Sequence, residues 1–229
     1  MEHKEISEEV DVDAGENNAT KGLGNQVYDE LVALILSRKL RQGEQIQERA
    51  LALRLNVSRT PLREAMHRLE GERVLERNSS NRLFVRLVSI QEIMEILHVR
   101  RMLEADAATR ATGHIPQTRL LALRERIEAL TAAADPTPAD FYEVDTSLHE
   151  LILEYCENTL LASIIADLRL KTRMFSPKHL EKARGPAVCE EHLAIVDALI
   201  RSDSAAAAAE TIRHINNIRQ SIIDKLSAV

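Results

Sequence analysis

Apolar positions along the first third of the chain recur at helical spacing and are punctuated by short polar breaks. Asn25 to Lys39 (NQVYDELVALILSRK) carries Val27, Leu31 and Ile35 one turn apart, which predicts a helix of about four turns. Leu40 to Ile46 is a Gly-containing connector. Gln47 to Leu55 (QERALALRL) is a short helix with Ala50, Leu51, Leu53 and Leu55 available for packing, and Asn56 stands where a left-handed C-cap residue is expected. Ser58 is suited to N-cap a third helix, its hydroxyl accepting a free first-turn amide. Pro61 falls in that first turn, where a missing N–H is tolerated. Leu62, Ala65, Met66 and Leu69 form the apolar face of this helix. Val74–Arg77 and Leu83–Leu87 flank the polar run Asn78–Arg82 and predict a β-hairpin. Three helices and a hairpin make a winged helix-turn-helix domain.

From Ser89 the texture changes. Ser89-Ile90-Gln91-Glu92 is a capping-box pattern opening a helix to about Thr112. Gly113–Pro116 breaks it. Further helical patterns cover residues 117–134, 139–156, 158–175, 186–201 and 203–227, with a turn at Asp135–Pro138. No strand pattern appears, so this half reads as an all-helical bundle of about six helices. The alanine run Ala205–Ala209 suits close packing of one helix on a neighbour. The expected organisation is an acidic, disordered tail over 1–21, a winged helix-turn-helix domain over 22–88 and an all-helical domain over 89–229. The fold class is mainly α.

Charge changes the picture more than composition does. The net charge of −6 argues against a nucleic-acid partner. However, residues 22–88 hold 12 Lys/Arg against 8 Asp/Glu, while the segments on either side are acidic. Positive charge is thus concentrated where phosphate contacts would be needed. On the third helix, Arg59, Arg63 and His67 step by four along one face. Recognition helices meet base edges and phosphates with this N-terminal end, and arginine is the usual bidentate partner of guanine. Aromatics make up 3% of the chain with no Trp, which disfavours stacking on single strands. The longest fully apolar run, Leu31–Leu36, is far too short for a bilayer. With no signal peptide visible and two unpatterned cysteines, Cys156 and Cys189, a reduced cytoplasm is expected.

In the helical half, Asp145 and His149 lie four apart on one helix and share a face. His192 and His214 lie on two later helices. One carboxylate and three imidazoles from three helices can converge on a divalent cation inside a bundle. Zn, Ni, Mn and Co all accept such ligands.

The segment from about Tyr28 to Leu87 resembles the DNA-binding domain of GntR-family transcriptional regulators, through Gln47-Glu48-Arg49-Ala50-Leu51-Ala52 and Val57-Ser58-Arg59-Thr60-Pro61-Leu62-Arg63-Glu64-Ala65. The resemblance implies DNA contacts by Arg49, Arg59 and Arg63, assisted by Ser58 and Thr60, with Asn81 and Arg82 at the wing. Arg73 stands where the family usually carries glycine, and Leu83 stands where its wing usually does. Residues 92–216 resemble the FCD domain of the FadR subfamily, through Glu95–Glu104, Asp145–His149, Glu191–Ile200 and His214. That resemblance implies a divalent metal, zinc first, on Asp145, His149, His192 and His214. It also implies a small organic-acid effector clamped by Arg100, whose alternative is an i,i+4 pair with Glu104 on a solvated face.

The function expected is a cytoplasmic, ligand-responsive repressor that binds a near-palindromic double-stranded operator as a homodimer, with no catalytic residues and no membrane partner. Two alternatives remain open: a metal-dependent enzyme acting on a small carboxylate, and a DNA-binding regulator with a purely structural metal site.

Overall fold

The computed structural model describes residues 13–175 and 178–227. The chain divides into two compact units, Met1–Leu87 and Val88–Val229. Nine helices and one two-stranded sheet are formed among the described residues.

In the first unit, α1 (Asp13–Leu36) packs on α3 (Arg59–Gly71). Val27, Leu31 and Ile35 of α1 are buried, as are Leu62, Ala65, Met66 and Leu69 of α3. Each such Leu or Ile contributes about 1.5–3 kcal/mol by leaving water. Tyr28 adds a polar clasp: its hydroxyl donates to Glu72 at 2.7 Å, and the Arg68 guanidinium lies 3.8 Å from its ring centroid.

Helix α1 starts earlier than the pattern of apolar residues predicts. It reaches back to Asp13, into the segment expected to be disordered; residues 1–12 of that tail lie outside the described residues. Extending an existing helix fixes one residue per new hydrogen bond, so a weakly patterned stretch can follow a strongly patterned one.

Helix α2 (Glu48–Leu55) ends at Asn56, which takes the expected left-handed conformation with φ 54°. Ser58 occupies the N-cap of α3 with extended backbone, but its side chain makes no capping hydrogen bond. The third helical position, one of the two amides an N-cap hydroxyl can serve, is Pro61, which has no N–H to give.

The other end of α3 closes in a Schellman pattern. Arg73 N–H donates to Glu70 O at 3.0 Å and Val74 N–H to Leu69 O at 2.8 Å, with Arg73 at φ 57°. Arg73 thus holds a backbone conformation that favours glycine.

Strands β1 (Leu75–Arg77) and β2 (Leu83–Val85) pair antiparallel with Leu75 opposite Val85. Asn78 organises the tip, its Oδ1 accepting from the amides of Ser80 and Arg82, both at 3.0 Å. The connector does more than link helices. Gly43 N–H donates to Val85 O at 2.7 Å and Ile46 N–H to Leu83 O at 2.8 Å, covering the outer edge of β2.

The second unit contains α4 (Ile90–Ala111), α5 (Gln117–Ala132), α6 (Pro138–Tyr155), α7 (Thr159–Phe175), α8 (Lys178–Ile200) and α9 (Ser204–Ser227). Ser89 caps α4 by accepting from the Glu92 amide at 3.1 Å. Thr137 and Asp140 form a reciprocal capping box at α6. Helix α4 packs on α6, α7 and α9, while α8 packs on α5, α6 and α9. Leu148, Ile195, Val196 and Ala207 lie in their shared core. Ala207 is fully buried, as expected of the alanine run.

Helix α8 begins at Lys178 instead of Pro186, which sits inside it. The Gly-Pro pair reads as a break in sequence, yet Gly185 serves packing. A Cβ there would lie 2.5 Å from the Phe141 ring, so only glycine lets α8 approach α6 this closely.

Replacing Arg73 with glycine should stabilise the first unit by about 0.5–1 kcal/mol, since relief of left-handed strain exceeds the added chain entropy. A raised urea midpoint in Arg73→Gly, without a gain in Arg73→Ala, is the expected result; no change would mean the φ value carries no strain.

Candidate metal centre and nucleic-acid interface

In the first unit, Arg49, Ser58, Arg59, Thr60 and Arg63 are exposed on α2, α3 and the turn between them, and Asn81 and Arg82 are exposed at the wing tip. Arg59 and Arg63 lie one turn apart, and a carboxylate joins them. Glu48, the first residue of α2, accepts from Arg59 Nε at 2.5 Å and from Arg63 Nε at 2.9 Å. Hydrogen bonds from Arg59 and then Arg63 hold the Glu48 carboxyl below its usual range. Because each guanidinium engages Glu48 through Nε, its two terminal nitrogens remain on the far side, the edge that forms bidentate contacts. Sequence reasoning missed this role for Glu48, whose partners are 11 and 15 residues away.

In the second unit, α6 brings Asp145 and His149 to one face, α8 brings His192 and α9 brings His214. One ligand atom from each lies within 4.8 Å of the others. Ring centroids are 5.8 Å apart for His149–His192, 5.5 Å for His149–His214 and 4.8 Å for His192–His214. The three imidazoles are buried.

Their hydrogen bonding tests whether they fit a cation. His149 Nε2, His214 Nε2 and both His192 nitrogens are buried with no hydrogen-bond partner. Each unsatisfied buried polar atom costs about 1–3 kcal/mol, and one such nitrogen from each of three rings gathered at one point is a heavy burden for a fold to carry. An electron-pair acceptor among them would satisfy the inward-facing atoms together, so the donor set fits a divalent ion. Two oxygens of the Asp145 carboxylate divide the work. Oδ1 faces His149 Nε2 at 3.6 Å and His192 Nε2 at 3.5 Å, while Oδ2 accepts from Arg169 at 2.6 Å.

Carboxylates orient the outer edges of two imidazoles, as second partners do at metal sites. Glu191 Oε2 lies 2.7 Å from His214 Nδ1. Glu104 Oε2 lies 2.9 Å from His149 Nδ1, in close but poorly aligned contact. Each carboxylate is in turn held by an arginine: Glu104 by Arg100 at 2.6 Å and Glu191 by Arg184 at 2.7 Å. Arg169 holds Asp145 directly.

Protonation follows from this arrangement. Burial and then the Arg169 charge lower His149 to about 3, against the pull of Glu104. Burial lowers His214 to about 4, although Glu191 opposes it. Both rings are therefore neutral, the state a metal ligand requires. Burial pushes the Asp145 carboxyl up, but Arg169 and the neighbouring His192 and His149 outweigh it and hold it well below the usual range. Burial likewise opposes ionisation of Glu104 and Glu191. Arg100 and then His149 reverse that for Glu104, and the His214 hydrogen bond brings Glu191 down to about 2.

A cavity of about 140 Å³ adjoins the cluster, bordered by Asp145 and His214 and by the apolar Phe141, Val188, Ile218 and Ile222. Arg100, Arg169, Arg173 and Arg184 line it. Arg100 is paired with Glu104 as the i,i+4 alternative anticipates, but the pair is buried instead of solvated: Arg100 is only 3% exposed and borders the cavity. Its bond to Glu104 uses Nε. No local sequence pattern singles out Arg169, Arg184 or Glu191, because only the tertiary packing brings these residues to the site.

A winged helix with a paired-arginine recognition helix, joined to a helical bundle with an internal polar centre, defines a DNA-binding regulator with a separate sensing domain. Comparison with known proteins gives the family. The model of bacterial regulatory proteins of the gntR family matches residues 23–85, and the FCD domain matches residues 95–217. The chain belongs to the GntR family of DNA-binding transcriptional regulators, in its FCD-containing branch. It is 24% identical over 209 residues to the HTH-type transcriptional repressor RspR of Escherichia coli K12, spanning 90% of this chain and 91% of that protein. The fold is similar to that of E. coli McbR/YncC, with a TM-score of 0.71 and 22% identity over 89% of this chain and 98% of that one. It is also similar to a GntR-type structure from Rhodococcus sp. RHA1, with a TM-score of 0.69 and 20% identity over 88% and 97% of the two chains. The families and relatives are regulators, not enzymes. No helix among the described residues is long and apolar enough to cross a membrane.

The histidine shifts fix the sign of a pH dependence in the metal-free protein. Unfolded imidazoles titrate near 6.5, whereas His149 and His214 do so at about 3 and about 4 in the fold. The unfolded chain binds protons more tightly, so stability is full above about pH 6.5 and declines as the pH falls toward 4. Urea midpoints of chelated protein should drop steadily over this window. A flat profile would mean the imidazoles are not buried in neutral form.

Proposed function

We propose that the chain is a cytoplasmic, ligand-responsive repressor acting as a homodimer on a near-palindromic operator. Arg49, Ser58, Arg59, Thr60 and Arg63 face the major groove, and Asn81 and Arg82 reach the backbone from the wing. The juxtaposition of Arg59 and Arg63 on Glu48 supports this reading, since it holds two guanidinium groups together near the N-terminal end of the recognition helix. Repression is favoured by the likeness to a relative named as a repressor.

The helical domain holds a divalent cation through Asp145, His149, His192 and His214. The observation that carries this is the set of buried imidazole nitrogens without partners. Zinc is the first choice, with Ni, Mn or Co compatible with the same ligands. When bound, the cation supplies positive charge and open coordination positions for a small organic acid. Arg100 orients the acid from the cavity wall, and the apolar side chains there exclude water around it. A purely structural metal is less consistent with a cavity bordered by two of the ligands themselves. Regulation then requires that the acid favour one arrangement of the dimer's DNA-binding units over another, which makes operator and effector binding reciprocal.

His192→Ala should lower the metal content of purified protein while leaving DNA binding in place; full occupancy by elemental analysis would mean the ligand set is wrong. Arg59→Ala and Arg63→Ala should each weaken binding to an operator selected from a random DNA pool by about 1–3 kcal/mol. Unchanged affinity in both would remove the pair from the interface.

A further inference from the structure

We propose that the helical unit carries a second ligand site, a crevice between α4 and α9 that takes a phosphomonoester with an apolar body. The crevice encloses about 310 Å³. Its floor is apolar: Leu97 and Ile215 are buried and Met94 is half-buried. Each helix contributes one arginine to its lining, Arg101 from α4 and Arg219 from α9, and one further polar side chain, His98 and Asn216 respectively. The crevice shares no lining residue with the cavity beside the metal centre. Arg101 follows Arg100 and Ile215 follows His214, and successive residues on a helix point about 100° apart. The same two helices thus serve two separate places, and this inference does not depend on the metal reading.

Charge sets the crevice apart from the rest of the unit. Most arginines here are already matched: Arg100 to Glu104, Arg110 to Asp106, Arg119 to Glu154, Arg169 to Asp145 and Arg213 to Glu210. Arg101 and Arg219 pair with no carboxylate among the described residues, and no Asp or Glu lines the crevice. Other carboxylates on the two helices have partners of their own, Glu95 accepting from Gln91 and Asp224 from Gln220. Arg101 meets only the His98 ring, with 3.5 Å between a guanidinium nitrogen and Nδ1. Two uncompensated guanidinium groups, each a planar fork of donors, therefore border one recess. A single carboxylate matches one of the two charges. A phosphomonoester carries roughly −1.5 to −2 near neutral pH and three terminal acceptor oxygens, enough to meet both forks and the Asn216 amide. Inorganic phosphate alone would leave Leu97, Ile215 and Met94 in water, whereas the hydrocarbon or aromatic body of an ester covers them.

The test uses the full chain, chelated so that no cation competes for phosphate, and titrates it by calorimetry with phenyl phosphate, inorganic phosphate and benzoate at one salt concentration. Phenyl phosphate should bind about tenfold or more tighter than benzoate, because its second charge and third oxygen engage the second arginine. It should also bind tighter than inorganic phosphate, by about threefold or more, through the apolar floor. Arg101→Gln combined with Arg219→Gln should abolish the phenyl phosphate preference while the urea midpoint stays unchanged. Arg219→Gln alone, at an exposed position, should weaken phenyl phosphate by about tenfold and serves if the double variant folds poorly. Equal affinity for phenyl phosphate and benzoate would overturn the phosphate assignment. Equal affinity for phenyl phosphate and inorganic phosphate would overturn the apolar body. Phosphate binding that survives in the double variant would place the anion at other arginines and overturn the site.

Discussion

Three buried imidazoles and a partly buried carboxylate brought together at one point set the terms for the rest of the helical domain. Desolvation pushes His149 and His214 toward the neutral form, while Arg169, with His192 and His149, keeps Asp145 ionised against its burial. Carboxylates must then steer the outer ring nitrogens, and arginines must keep those carboxylates charged. The resulting chains, Arg100–Glu104–His149 and Arg184–Glu191–His214, tie the cavity wall to the polar centre. A bundle core made only of leucine and isoleucine would be simpler to stabilise. Retaining this much buried charge points to a ligand-binding role.

The DNA-binding unit uses a related device at its surface. There a single carboxylate, Glu48, gathers two arginines through Nε. In both units a carboxylate engages a guanidinium through part of its donor set; under the proposed function the remaining donors would meet phosphate or base in one case and an organic acid in the other. The exposed version contributes little to stability. Its effect is to restrict the two arginines on the exposed face of α3.

Much of this was legible in the sequence. Helical periodicity placed α2, α3 and α4 closely, and Asn56, Ser89 and the hairpin pattern marked their boundaries through local backbone chemistry. The spacing of Asp145 and His149 put them on one helical face, His192 and His214 stood on two later helices as further candidate ligands, and the family resemblance joined the four. What remained hidden depended on tertiary context. Pro186 signalled a helix start, but the approach of Gly185 to Phe141 carries α8 through it. Ser58 had the right residue type for a side-chain cap, but Pro61 removes one of its donors. Arg169, Arg184, Glu104 and Glu191 act through partners on other helices or through the burial of their surroundings, and neither is encoded in a local pattern.

X-ray absorption spectroscopy at the K-edge of the bound metal tests the central claim most directly. The account predicts a first shell of nitrogen and oxygen at about 2.0–2.2 Å with multiple scattering from three imidazoles and no sulfur. Sulfur at about 2.3 Å, or scattering from one imidazole or none, would contradict it.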